Sequence, residues 1–159
     1  MDTDRLNRWL TLGANIGVLG GLLLLVTEIR QTNAIARAEA INVMTQNTYT
    51  ILDAYRDSRN IAALDRVEEV GWDELTSEEQ LLLSSVEAMF MSHIQNAYYQ
   101  HELGIYDDGQ FEAVLWNMDQ SLQSAWRRTN WENAQSSYTR EFRAFVENRL
   151  KAMADNPSE

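Results

Sequence analysis

An apolar run without a single charge opens the chain, and a series of amphipathic patterns follows it. From Leu10 to Val26 only Thr11 and Asn15 are polar, and Trp9 and Thr27 extend the run by one residue at each end. As a helix rising about 1.5 Å per residue, residues 9–27 reach roughly 28 Å, enough to cross a hydrocarbon core. In water such a helix would need burial on every side, and the remaining patterns are amphipathic and acidic. The pattern therefore predicts a membrane anchor at 9–27, after a polar lead at 1–8.

Nothing from Thr27 to Ala40 breaks a helix. Ile41, Met44, Thr48, Ile51, Leu52 and Tyr55 then recur at spacings of three and four, which makes one apolar stripe. The anchor is expected to continue as a stalk over 28–59, within an α-helical domain at 28–154. A short helix over Asn60–Val70 should bury Ile61, Leu64 and Val67 and stop at Gly71. Thr76 and Glu79 form a capping box for a third helix, Ser77 to Leu103. Its face is read as Leu82, Val86, Met89, Phe90, His93 and Ala97, and Gly104 supplies the stop.

Asp107 or Asp108 caps a fourth helix bearing Phe111, Val114, Leu115, Met118 and Leu122. A shorter piece carries Trp126 and Trp131. Ser136 or Ser137 is expected to cap a last helix with Phe142, Phe145, Val146, Arg149, Leu150 and Met153 at helical spacing. Residues 155–159 read as a disordered tail. The expected fold is all-α: a long N-terminal transmembrane helix running into a bundle of four to five further helices.

Composition supports this. Pro157 is the one proline, and four of the seven glycines lie in the apolar run. The absence of cysteine excludes disulfide scaffolds, zinc–cysteine sites and thiol catalysis. A secretory signal peptide is the competing reading of the opening. Its apolar core would be long, and Ala34-Ile35-Ala36, the nearest small-x-small site, lies beyond Glu28 and Arg30.

The net charge of −11 is concentrated in residues 61–120, where thirteen acids face Arg66 alone. Such a balance argues against nucleic acid and against an anionic lipid surface. The basic last helix could pair with this acidic middle within the chain. Arg5 and Arg8 on one side of the anchor are balanced by Arg30 and Arg37 on the other, so the positive-inside rule assigns no orientation.

Gly13, Gly17, Gly20 and Gly21 share one sector of the anchor, about 100° wide, while Asn15 projects from nearly the opposite side. Glycine permits close backbone approach between helices in lipid, and an amide in hydrocarbon wants a partner. Two such faces predict helix association: self-assembly, or insertion into a larger membrane complex.

Chemistry is sparse. His93 and His101, the only histidines, lie about 80° apart around the third helix. A di-iron site needs Glu-x-x-His pairs, and Phe90 and Tyr98 occupy the required glutamate positions. There is no phosphate-binding glycine loop, nucleophile elbow or His-Glu-x-x-His. No catalytic residue, metal ligand or cofactor is assigned. His93, Tyr98, Tyr99, His101 and Trp116 are the candidate pocket or partner contacts.

The junction Glu28-Ile29-Arg30-Gln31-Thr32-Asn33 and the stretch Asn96-Ala97-Tyr98-Tyr99-Gln100-His101, with the closing Phe142 and Phe145, resemble a widespread group of small uncharacterised bacterial single-pass membrane proteins. Phe111 stands where that group commonly has tryptophan, and Trp131 is single where a pair is usual. The resemblance implies the bacterial cytoplasmic (inner) membrane and no particular reaction.

The sequence thus points to a non-enzymatic, membrane-anchored interaction protein. Its expected partners are the bilayer through 9–27 and proteins in or at the membrane, including itself, with no nucleic acid. One alternative is a sensor holding a small ligand in a Trp/Tyr/His-lined cavity. The other is an enzyme working through His93, His101 and nearby carboxylates. A sensor should show a closed cavity reaching His93 or Tyr98. An interaction module should show a filled core and an exposed patch.

Overall fold

The computed structural model describes residues 3–155, and within them the chain forms six α-helices and no strand. These are α1 (Thr3–Arg56), α2 (Ser58–Val70), α3 (Ser77–Glu102), α4 (Asp108–Leu122), α5 (Ala125–Ala134) and α6 (Arg140–Asp155). Two compact units result, one ending at Glu39 and one beginning at Ala40.

The first unit is the leading part of α1. The helix already begins at Thr3, inside the polar lead. It is long and apolar enough to cross a membrane, and none of its most apolar window is buried by the rest of the protein. The expected stalk is exposed from Glu28 to Glu39, so packing begins only at Ala40.

The second unit is the helical bundle. Of the expected stripe on α1, Met44 and Ile51 are buried, while Ile41 and Leu52 stay exposed. The helix ends at Arg56, three residues before the expected boundary, because Asp57 caps α2 by accepting from the Arg59 amide at 2.9 Å. Asn60 Nδ2 then donates to the Ala54 carbonyl at 2.6 Å, which also accepts from the Asp57 amide at 3.2 Å at the end of α1. This tie turns the buried face of α2 to Asn60, Ala63 and Val67, leaving Ile61 exposed.

The capping box at Thr76 and Glu79 forms as expected, and Asp107 makes a second one with Gln110. Glycine is required at two stops, Gly71 at φ +84° and Gly104 at φ +67°. The start of α6 differs from expectation. Ser136 and Ser137 lie in a 3₁₀ turn, and Thr139 Oγ1 accepts instead from the Phe142 amide at 3.4 Å. Asp155 is still helical, and the rest of the expected tail lies outside the described residues.

The main core joins α3, α4 and α6 through Ile94, Ala97, Phe111, Met118, Leu122, Phe142 and Val146. A smaller core sets Ala63, Val67, Leu75 and Leu83 against Trp126. There Trp72 stacks on Trp126 with centroids 5.9 Å apart. The buried face of α3 is Leu83, Val86, Glu87, Met91, Ile94 and Ala97. It sits about one residue round from the predicted face, because α2, α4 and α5 all pack on this helix. Arg149 of α6 grips Asp119 of α4 with two donors, Nε lying 2.9 Å from Oδ1. The basic last helix thus reaches the acidic middle through this pair.

Candidate functional site

An open groove of about 540 Å³ runs along the bundle with α3 as its floor. Thr48, Ile51, Leu52 and Tyr55 of α1 form one wall, and Ala113, Val114, Asn117, Gln120 and Ser121 of α4 form the other. Phe90, His93 and Ile94 line the floor, and Arg127 of α5 closes one end. The wall spacings are one helical turn, which is how an amphipathic helix presents a stripe to a groove.

A polar cluster organises the closed end. Glu87 is 3% exposed, although it is ionisable. Arg127 Nε lies 3.2 Å from Glu87 Oε1, and Tyr55 Oη donates to the same carboxylate at 3.4 Å. Arg127 also donates to Ser121 Oγ at 2.9 Å and to Tyr55 Oη at 3.4 Å. Its guanidinium packs over the Trp126 ring, 5.0 Å from the centroid, and over the Tyr55 ring at 5.6 Å. Nearby, Ser84 Oγ donates to Asn130 Oδ1 at 2.8 Å.

Burial raises the Glu87 pKa above the ordinary carboxylate value, and the Arg127 charge opposes this. Burial, reinforced by the Glu87 charge, also pushes the Tyr55 phenol up. Desolvation lowers the His93 pKa, which favours a neutral imidazole. The Nδ1 atom of His93 is buried without a partner. A smaller concavity on the other flank of α1, about 250 Å³, shares Ile51 and His93 with the groove.

With this geometry in view, comparison with known proteins adds no relative. The chain matches no protein-family model, no curated protein and no solved structure.

Of the five predicted contact residues, only His93 lines the groove. Tyr98 is spent on the aromatic core, with its ring centroid 4.9 Å from Phe145 and 5.9 Å from Phe142. Tyr99 shares a 2.7 Å hydrogen bond with Thr139 Oγ1, at the start of α6. His101 stacks on Phe111 with centroids 4.3 Å apart, and its Nε2 lies 3.0 Å from Asp108 Oδ1. It braces the turn from α3 to α4.

Trp116 is 63% exposed and lines neither the groove nor the smaller concavity, because Leu115 and Met118 take the inward face of α4. Trp72, Trp126 and Trp131 do pack, the last edge-on to Phe142. The expected Trp/Tyr/His lining is therefore reduced to Tyr55 and His93. Gly13, Gly17, Gly20 and Gly21 are exposed with open space where a Cβ would stand, and Asn15 is exposed too.

Glu87, Arg127 and Tyr55 were not among the predicted site residues. A signal for Glu87 existed: it stands at the helical spacing of Leu83, Met91 and Ile94, a carboxylate in phase with an apolar stripe. Its partner came from a helix forty residues away, which periodicity does not reach. Among the described residues, no three His, Asp or Glu side chains converge as a metal site.

Proposed function

We propose that the protein is a single-pass, membrane-anchored helical interaction protein. In this reading residues 9–27 hold it in the bilayer, and the bundle from Ala40 onward engages other proteins as an oligomer or as a subunit of a larger membrane assembly. The observation that carries it is the exposure of the opening helix. Trp9, Leu10, Ile16, Leu19, Leu23 and Leu24 are each at least 60% exposed. That much contiguous apolar surface demands lipid or a partner. The glycine sector supports helix association in lipid, since its backbone is open to close approach.

The test is extraction at alkaline pH followed by native mass spectrometry from mild detergent. The protein should stay with the membrane, lose that association when residues 9–27 are deleted, and carry copies of itself or other membrane proteins. Gly17→Leu should weaken the assembly. A protein released by alkali, or one that is strictly monomeric with Gly17→Leu unchanged, overturns the reading.

The groove is open and reaches His93 but not Tyr98, so it is not the closed cavity expected of a sensor; it still supports a second reading, in which the bundle senses a small ligand. Its volume lies in the range of ligand sites, and a few polar groups converge on one end of an otherwise apolar surface.

A further inference from the structure

The groove has a direction. Tyr55, Ser121 and Arg127 are linked by hydrogen bonds at its closed end. Ile51, Leu52, Phe90, Ile94, Ala113 and Val114 supply the apolar surface beyond them. We propose that this groove binds a neutral amphiphile, with a carbonyl, amide or hydroxyl head against Arg127, Tyr55 and Gln120 and an apolar body between α1 and α4. The proposal rests on the ligand-binding reading of the same groove and adds the chemical class.

Charge compensation selects the head. A guanidinium has five N–H donors, and three of those on Arg127 are engaged by Glu87, Ser121 and Tyr55. The remaining donors can serve an acceptor. The positive charge, however, is already matched by Glu87 at 3.2 Å, and that carboxylate is almost fully buried. An anionic head would face Glu87 without a counter-charge of its own. A cationic head would face Arg127 in the same position. Either would lose its hydration for no compensating pair. A neutral head gives up less water and can use Arg127 donors, the Gln120 amide and the Tyr55 hydroxyl.

The apolar body follows from the walls. Leu52 is 40% exposed in the groove wall, a side chain that an apolar tail would cover. His93 keeps an unpartnered, buried Nδ1 on the floor and, being held toward its neutral form, adds no charge against such a tail. Insertion of a second copy's bundle into this groove is disfavoured by the net charge of −11 that residues 40–159 carry, whereas association through the glycine sector of the anchor is untouched by it.

The probes are decanamide, decanoate and decylammonium, which share a tail and differ in head charge. Binding is read as the shift in Tm of the full chain in phosphatidylcholine nanodiscs, at matched free concentrations. At about ten times Kd, decanamide should raise Tm by roughly 5 °C, while decanoate and decylammonium should bind at least tenfold more weakly. Ala113→Trp, at an exposed position on the wall, should abolish the decanamide shift. Gln120→Leu should weaken it about tenfold, the equivalent of one lost hydrogen bond.

A preference for decanoate or decylammonium that Ala113→Trp removes would overturn the neutral-head class and leave ligand binding standing. Shifts that are absent, or unchanged by Ala113→Trp, would overturn both. Neither result bears on the anchor, which alkaline extraction reads separately.

Discussion

Arg127 Nε stands 3.2 Å from Glu87 Oε1, and this ion pair links α5 to α3 at a place where the carboxylate has almost no access to water. The pair depends on both members. Removing the cation alone leaves a buried carboxylate uncompensated, which typically costs about 3–5 kcal/mol. Arg127→Met should therefore destabilise the bundle by that order in thermal or denaturant unfolding. Glu87→Leu combined with Arg127→Met should cost much less, because the desolvated charge disappears with its partner.

His93 gives stability a pH dependence whose sign is fixed by its burial. The folded-state pKa is lowered from the ordinary value near 6.5. Below that value the unfolded chain binds a proton that the folded chain resists, so the His93 contribution is complete above it and is lost as pH falls through the folded pKa. Glu87 acts in the opposite sense. Its pKa is raised, so its desolvation cost is relieved as pH falls toward the ordinary carboxylate value. Comparing His93→Gln with wild type isolates the first effect. From about pH 7 down to 5, the variant should lose less stability than wild type.

The two faces of α4 should respond very differently. Met118 is fully buried and Phe142 packs in the same core, so Met118→Ala should cost about 2–5 kcal/mol and Phe142→Ala about 3–5. Trp116→Ala should change unfolding by less than about 0.5 kcal/mol, since its ring is largely in solvent. Loss of co-purifying partners in Trp116→Ala, with folding intact, would assign that ring to an interface.

Helix ends provide a local test. Asp107 Oδ1 accepts from the Gln110 amide at 2.8 Å, and Gly104 closes α3 at φ +67°. Asp107→Ala should cost about 1 kcal/mol. Gly104→Ala should cost about 1–2 kcal/mol, because an L side chain is strained in the left-handed region. Hydrogen exchange should show both losses concentrated in the turn between α3 and α4.

The residues themselves determined a good deal of this. Absence of breakers from Thr27 to Tyr55 gave one helix from the apolar run onward. The Thr76–Glu79 pair and the aspartates Asp107 and Asp108 marked helix starts, because capping is a contact between residues three apart, and the structure chose Asp107 through its box with Gln110. Gly71 and Gly104 marked stops, because only glycine takes their backbone angles at no cost. All of these interactions are local, so a linear pattern records them.

Tertiary packing decided the rest. Which sector of α3 is buried depends on helices packing from three sides, and that shifted the core to Leu83, Met91 and Ile94. Tyr98, Tyr99 and His101 have the chemistry of a site, yet packing used them to join α3 to α4 and α6. Glu87, whose phase with an apolar stripe was its one signal, and Arg127, which carried none, became the polar end of a groove because α5 folds back across α3. The opening apolar run was legible at once, since transfer from water depends on composition alone. A site depends on which distant side chains meet, and only the folded chain brings them together.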